Sequence, residues 1–205
     1  MEKIFTPIGI QKDIFNWFVC NFAKDESGND IGKDILLAQQ TVGMIEEIGE
    51  LSHSILKLQQ GIRKNENHLE LLEDSVGDII IFSANLLSLL DINMEKVLIR
   101  KDKILHNPIH SIFDLNINMS NLIEAIFDYD TSSMLNEINF WLSFDNENNI
   151  NKDMVIFPMS AIYETLEAIL EHYNLEDGYT VFVKVAEKVL KRDWNKHRQD
   201  NTEVN

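Results

Sequence analysis

The chain has only one cysteine, Cys20. That excludes an internal disulfide and points to a reducing compartment, with the thiol expected as a small buried side chain. Proline is rarer still for the length, 3 against 8 glycines in 205 residues, which argues against a strand-and-turn architecture and for long helices. Basic side chains are few: 18 Lys and Arg face 34 Asp and Glu, a net charge of −16. So negative a surface repels nucleic-acid backbones and anionic lipid, and neither is an expected partner. The N-terminus lacks a basic stretch followed by an apolar one, so no secretion signal is expected. The longest apolar run, Ile79 to Leu90, is too short to cross a bilayer and is interrupted by Ser83, Asn85 and Ser88. A cytoplasmic, water-soluble protein without a membrane partner is the expectation.

What is present is helical periodicity. Ile10, Ile14, Trp17, Phe18 and Phe22 open the chain, and the polar stretch Lys24 to Lys33 follows as a loop. A long helix is predicted from Asp34, as its N-cap, to Gln60, with Gly61 ending it. Its apolar stripe is Met44, Ile48, Leu51, Ile55 and Leu58. A second long helix is predicted over Asn67 to Leu90. A break at Asp91 to Asn93 follows, then a further helix to about His106. From 109 to 151 the texture changes to Asn, Asp and Ser with short periodic pieces at Leu122 to Phe127 and Met134 to Phe144, which reads as a helical insertion. Helices over Pro158 to His172 and Glu176 to Lys196 close the chain. The expected architecture is one all-α domain, 1–205, a bundle around an antiparallel pair of helices carrying the acidic motifs described next.

Glu46-Glu47-Ile48-Gly49-Glu50 and Glu73-Asp74-Ser75-Val76-Gly77-Asp78 carry the chemistry. Positions three and four apart share a helix face, so Glu46, Glu47 and Glu50 converge, as do Asp74 and Asp78. Asp78 is the only charged residue between Ser75 and Leu90. A buried, unpaired carboxylate costs several kcal/mol, so it must be paired, protonated or bound to metal. Several carboxylates at one helix pair repel unless divalent cations neutralise them, and oxygen-only ligands suit Mg²⁺, with Mn²⁺ able to substitute. Gly49 and Gly77 lie inside these motifs, where a mid-helix glycine costs roughly 1 kcal/mol, which suggests close approach by a helix or ligand.

The two motifs, EEIGE at Glu46 to Glu50 and EDSVGDI at Glu73 to Ile79, resemble those of the MazG-like, all-α nucleoside triphosphate pyrophosphohydrolases. That superfamily also holds the dimeric dUTPases and phosphoribosyl-ATP pyrophosphohydrolases. The similarity covers about Ile10 to His106, and the closing helix from Val185 to Lys196 is similar to that of phage-type members. The resemblance implies Mg²⁺-dependent hydrolysis of a nucleoside triphosphate to the monophosphate and pyrophosphate by water attack at the α-phosphorus. It makes Glu47, Glu50 and Asp78 Mg²⁺ ligands and leaves Glu46 to bind a further ion or orient the water. The family's second motif is ExxD, whose Glu is replaced here by Ser75. Whether Glu73, Asp74 or Ser75 completes the metal site therefore stays open, with Asp74 the candidate that shares a face with Asp78.

Phosphates need donors. Lys191 and Arg192, in a basic cluster with Lys188 and Lys196, are the leading candidates, followed by Lys101 and Lys103. Trp17 and Asn85 are candidates for contacting the base. Three other readings compete. A dUTPase-type or phosphoribosyl-ATP hydrolase would use the same site. A di-iron carboxylate bundle would use Glu50 and His53, but no second Glu-x-x-His pair exists. A non-catalytic helical interaction protein would keep the motifs without turnover. Apolar faces left over from the central pair predict a homo-oligomer, a dimer or tetramer.

Overall fold

The computed structural model describes residues 8–25, 27–97, 107–127 and 151–192. Six α-helices are found among them: α1 (Ile8–Phe22), α2 (Lys33–Gln60), α3 (His68–Leu89), α4 (Pro108–Phe127), α5 (Lys152–His172) and α6 (Gly178–Val189). The described residues form no sheet, and the all-α bundle expected from the periodicity is what is observed. None of these helices is long and apolar enough to cross a membrane.

α2 and α3 form the central pair and run antiparallel. Their ends follow local chemistry. Gly61 takes a left-handed conformation, φ 64°, and its N–H returns to the α2 carbonyls, so the helix stops there. The Asn67 side chain accepts from Glu70 N and starts α3. Asp34, expected as the cap of α2, instead lies in its first turn beyond Gly32, where its charge still favours the helix dipole. α3 is nearly enclosed: its Leu72, Val76, Ile79, Ile80, Ala84, Leu86 and Leu87 are fully buried. It packs against α1 on one side, α2 along its length and α6 on another, with a lighter contact to α5.

Four expected boundaries differ. The helix predicted after Asn93 is a short 3₁₀ turn at Met94–Lys96, and 98–106 lie outside the described residues. The stretch from 109 is not a set of short helices at its start; α4 is one 20-residue helix whose Leu115, Met119, Leu122 and Ile126 join the common core. The piece at Met134 to Phe144 lies outside the described residues. α5 begins at Lys152, capped by Asn151, so Pro158 falls inside it rather than at its start. α6 likewise begins two residues later than expected, because Asp177 caps Thr180 N. Cys20, expected to be buried, is exposed. It follows Val19 on the outward side of α1, opposite the stripe of Ile14 and Phe18.

Candidate functional site

Two contacts fix how α2 and α3 are registered. Asn85 Nδ2 donates to Gln40 Oε1 at 3.1 Å in the buried interface. Three residues along each helix, the Phe82 ring covers Gly43 so closely that a Cβ there would collide with it. The same antiparallel register, continued by one turn, sets Glu47 opposite Asp78. Glu50 then falls opposite Ser75. The two acidic motifs are thus brought together by the register of one helix pair, and Gly43 is what lets the pair close over Phe82.

Neither facing carboxylate is fully in water. Glu47 and Asp78 are half-buried, while Glu46 and Glu50 are exposed on the outer side of α2. Burial pushes the Glu47 carboxyl up to about 8, with repulsion from Asp78, Glu50, Glu46 and Asp74 adding to it. Burial likewise pushes Asp78 up to about 6; Asp74 raises it further, whereas Arg192 and Lys188 draw it down. Neither residue is paired with a hydrogen-bond donor among the described residues.

α6 brings the cations. Gly77 is the close-approach point: a Cβ on it would run into Val185, so glycine there lets α6 pack directly on α3 beside Asp78. Lys188 Nζ reaches Asp74 Oδ1 at 3.1 Å. Arg192, just past the end of α6, is half-buried and close enough to Asp78 to influence its charge. Lys191 is exposed beside it. Among the described residues of the basic cluster, Lys188 is the one whose side chain contacts an acidic motif. Its i−3 relation to Val185 places it on the face turned toward α3, a signal that the Val185–Gly77 contact makes visible.

The other candidates fall elsewhere. The Trp17 indole N–H donates to the Arg192 carbonyl at 2.8 Å, and the ring packs edge-on to Phe22 at 5.6 Å. It anchors the end of α6 to α1 and so holds Arg192 in place. Asn85 is 2% exposed and engaged with Gln40, two turns from Asp78 along α3. Its Oδ1 has no hydrogen-bond partner among the described residues. Ser75 is buried and donates to the Leu71 carbonyl of its own helix, so its hydroxyl is turned into the backbone. Gly49 differs from Gly77: a Cβ there would meet nothing within 4 Å among the described residues, so no approach by any of them explains it. Lys101 and Lys103 lie outside the described residues.

The donor set is chemically suited to a hard divalent ion: carboxylate oxygens only, two of them desolvated and mutually repelling. Among the described residues, however, no three His, Cys, Asp or Glu side chains are gathered closely enough to hold one as they stand. An ion would have to draw in the exposed Glu50, whose side chain nothing described restrains, or take Asp74 from Lys188. Compared with protein-family models, with curated proteins and with solved structures, the chain finds no match in any of the three.

Proposed function

We propose that the chain is a Mg²⁺-dependent hydrolase of a nucleoside triphosphate, releasing the monophosphate and pyrophosphate. One observation carries the reading: Glu47 and Asp78 face each other from adjacent helices, half-buried, with no hydrogen-bond donor on either among the described residues. Such an arrangement is costly for a structural purpose alone, since apolar residues at both positions would extend the core at lower cost. A divalent cation removes that cost, and a function that needs the cation accounts for keeping it.

Glu47, Glu50 and Asp78 would hold the ion, with Asp74 joining if Lys188 releases it. Magnesium bound there would offset the charge of the triphosphate and make water a usable nucleophile near neutral pH. Glu46, at the exposed edge beside them, would orient that water. The phosphates would meet the α6 side of the cleft, where Lys188, Lys191 and Arg192 supply donors that an otherwise acidic surface lacks. In the reaction a new bond forms between the water oxygen and the α-phosphorus. The bond from that phosphorus to the bridging oxygen breaks, and pyrophosphate leaves.

The test is incubation of the protein with a panel of ribo- and deoxyribonucleoside triphosphates plus Mg²⁺, with products separated by anion exchange. Monophosphate and pyrophosphate, lost on adding EDTA, are the expected result, and the preferred base is read from the same panel. The panel includes dUTP and phosphoribosyl-ATP, so that the related hydrolases are distinguished. No turnover with any member, combined with no Mg²⁺-dependent stabilisation, would leave the non-catalytic reading standing.

A further inference from the structure

Two lysines of α6 reach toward the second acidic motif, and they are held differently. Lys184 Nζ is paired with Glu176, an acid outside the motif, and Glu73 is near enough for its charge to act on it. Lys188 Nζ is paired, among the described residues, with an acid of the motif itself, Asp74, at 3.1 Å. The other two neighbours of Asp74 in sequence are placed differently. The Ser75 hydroxyl is turned into its own helix, donating to the Leu71 carbonyl. Glu73, five positions before Asp78, lies well off the Asp78 face, whereas Asp74, four before it, shares that face. The charge of Asp74 acts on Asp78 accordingly. The acid best placed to join Asp78 is thus the one that carries a cation.

That pair is easily parted. Lys188 is 59% exposed and Asp74 47%, and exposed pairs of this kind contribute little to stability. Lys188 is a point charge on a flexible stem, rooted one turn beyond Val185, whose packing on Gly77 fixes α6 against α3. The ammonium can leave Asp74 without either helix moving. While it stays, it supplies part of the positive charge that the facing acids lack. Beside a divalent cation it becomes a like charge and is repelled.

We infer that Lys188 is an exchangeable counter-ion, which holds Asp74 in the metal-free protein, competes with a divalent cation for that carboxylate, and on release turns to the phosphate oxygens of the substrate. The inference rests on the hydrolase reading and deepens it. It assigns Asp74, rather than Glu73 or Ser75, as the further ligand, and it links loading of the cation to arrival of the anion. A triphosphate offers Lys188 more acceptor charge than Asp74 does, so anion binding frees the carboxylate. Linkage is reciprocal, so cation loading equally frees Lys188 for the anion. Either ligand alone must break the pair; together they divide its two members between them.

The test uses the full chain without nucleotide and reads Mn²⁺ affinity from the electron paramagnetic resonance signal of the free ion. Lys188→Met is expected to tighten Mn²⁺ binding about two- to fivefold, because Asp74 is freed. The same variant is expected to raise KM for any triphosphate that the wild type accepts, and an unchanged KM would overturn the transfer of Lys188 to phosphate. A lysine with a structural role alone would not move the two ligands in opposite directions. In an Asp74→Asn background, Lys188→Met should no longer tighten Mn²⁺ binding; tightening that persists there would mean that Lys188 acts by charge at a distance, and would overturn the exchange. Lys184→Met, which removes a charge paired with Glu176, should tighten Mn²⁺ less than Lys188→Met does, and an equal effect would count against the exchange in the same way. Measurable binding in the wild type with unchanged affinity in Lys188→Met would overturn the inference and leave the hydrolase reading standing. A wild type that binds no Mn²⁺ would remove the hydrolase reading, and the exchange with it.

Discussion

Lys188 Nζ lies 3.1 Å from Asp74 Oδ1, so the acid one turn before Asp78 is already held by a cation from the closing helix. The two acids on the same face of α3 are therefore in different electrostatic states. Asp74 has a partner; among the described residues Asp78 has the more distant influence of Arg192 and Lys188. Both members of the pair are substantially exposed, and such pairs contribute about 0–1 kcal/mol. Lys188→Met should cost no more than about that amount in a denaturant melt. The same change should raise the Asp78 pKa above about 6, because one of the two charges pulling it down is gone. Carboxyl carbon NMR of the metal-free protein reads this directly. A fall in the Asp78 pKa would show that Lys188 does not act on it.

Glu47 makes the stability of the metal-free protein depend on pH. Its folded pKa, about 8, lies above its ordinary value of 4.5. The folded state thus binds its proton more tightly than the unfolded chain. The associated stability is fully present below about 4.5 and is lost as pH rises through 8. Asp78 adds the same sign over a lower window, from 3.8 to about 6. Because Glu47 is about half exposed, solvent screening reduces its share to on the order of 1 kcal/mol, roughly 2–4 °C in Tm. In EDTA, Tm should therefore fall between pH 6 and pH 8.5, and Glu47→Gln should flatten that fall. Mg²⁺ should flatten it too, by occupying the carboxylates. A slope identical in wild type and Glu47→Gln would remove Glu47 as its source.

Gly77 and Val185 form the contact that lets α6 lie on α3 next to Asp78. Gly77→Ala puts a methyl where the Val185 side chain is, an overpacking that costs about 1–3 kcal/mol. Combining it with Val185→Ala should recover part of that loss, giving a coupling energy of about 0.5–3 kcal/mol between adjacent sites. Strict additivity in urea melts would mean the helices are not in contact there.

How much of this was legible beforehand varies element by element. The central pair was readable because its stripe, Met44 to Ile55, repeats at helical spacing and because Gly61 is a strong end signal. The acidic faces were readable from the same spacing. Their register was not, since it depends on Phe82 lying over Gly43, a contact between residues whose separation in sequence says nothing of their pairing. The contrast between Gly49 and Gly77 was equally hidden. Both sit in acidic motifs, yet one lies under Val185 and the other faces open space. Asn85 reads as a polar residue on the Asp78 face, but Gln40 across the interface takes its amide and buries it. Trp17 was ambiguous between core and site; its bond to the Arg192 carbonyl makes it a support for the basic end of α6.

Asp78→Asn separates structure from function most sharply. Asp78 is held in a half-buried position that raises its pKa to about 6, so at pH 8 the folded protein carries a charge it would more readily lose. The neutral amide removes that charge at nearly constant volume. In EDTA at pH 8 the variant should match or exceed wild-type stability, by up to about 1–3 kcal/mol. In Mg²⁺ the order should reverse, because wild type gains from ion binding and the variant, lacking an anionic ligand, gains little. Turnover of any nucleoside triphosphate that wild type accepts should be lost. Thermal melts of both proteins with and without Mg²⁺ make the comparison. An Asn variant less stable than wild type in EDTA would mean that the Asp78 carboxylate makes a structural interaction. An Asn variant that responds to Mg²⁺ as wild type does would place the ion elsewhere.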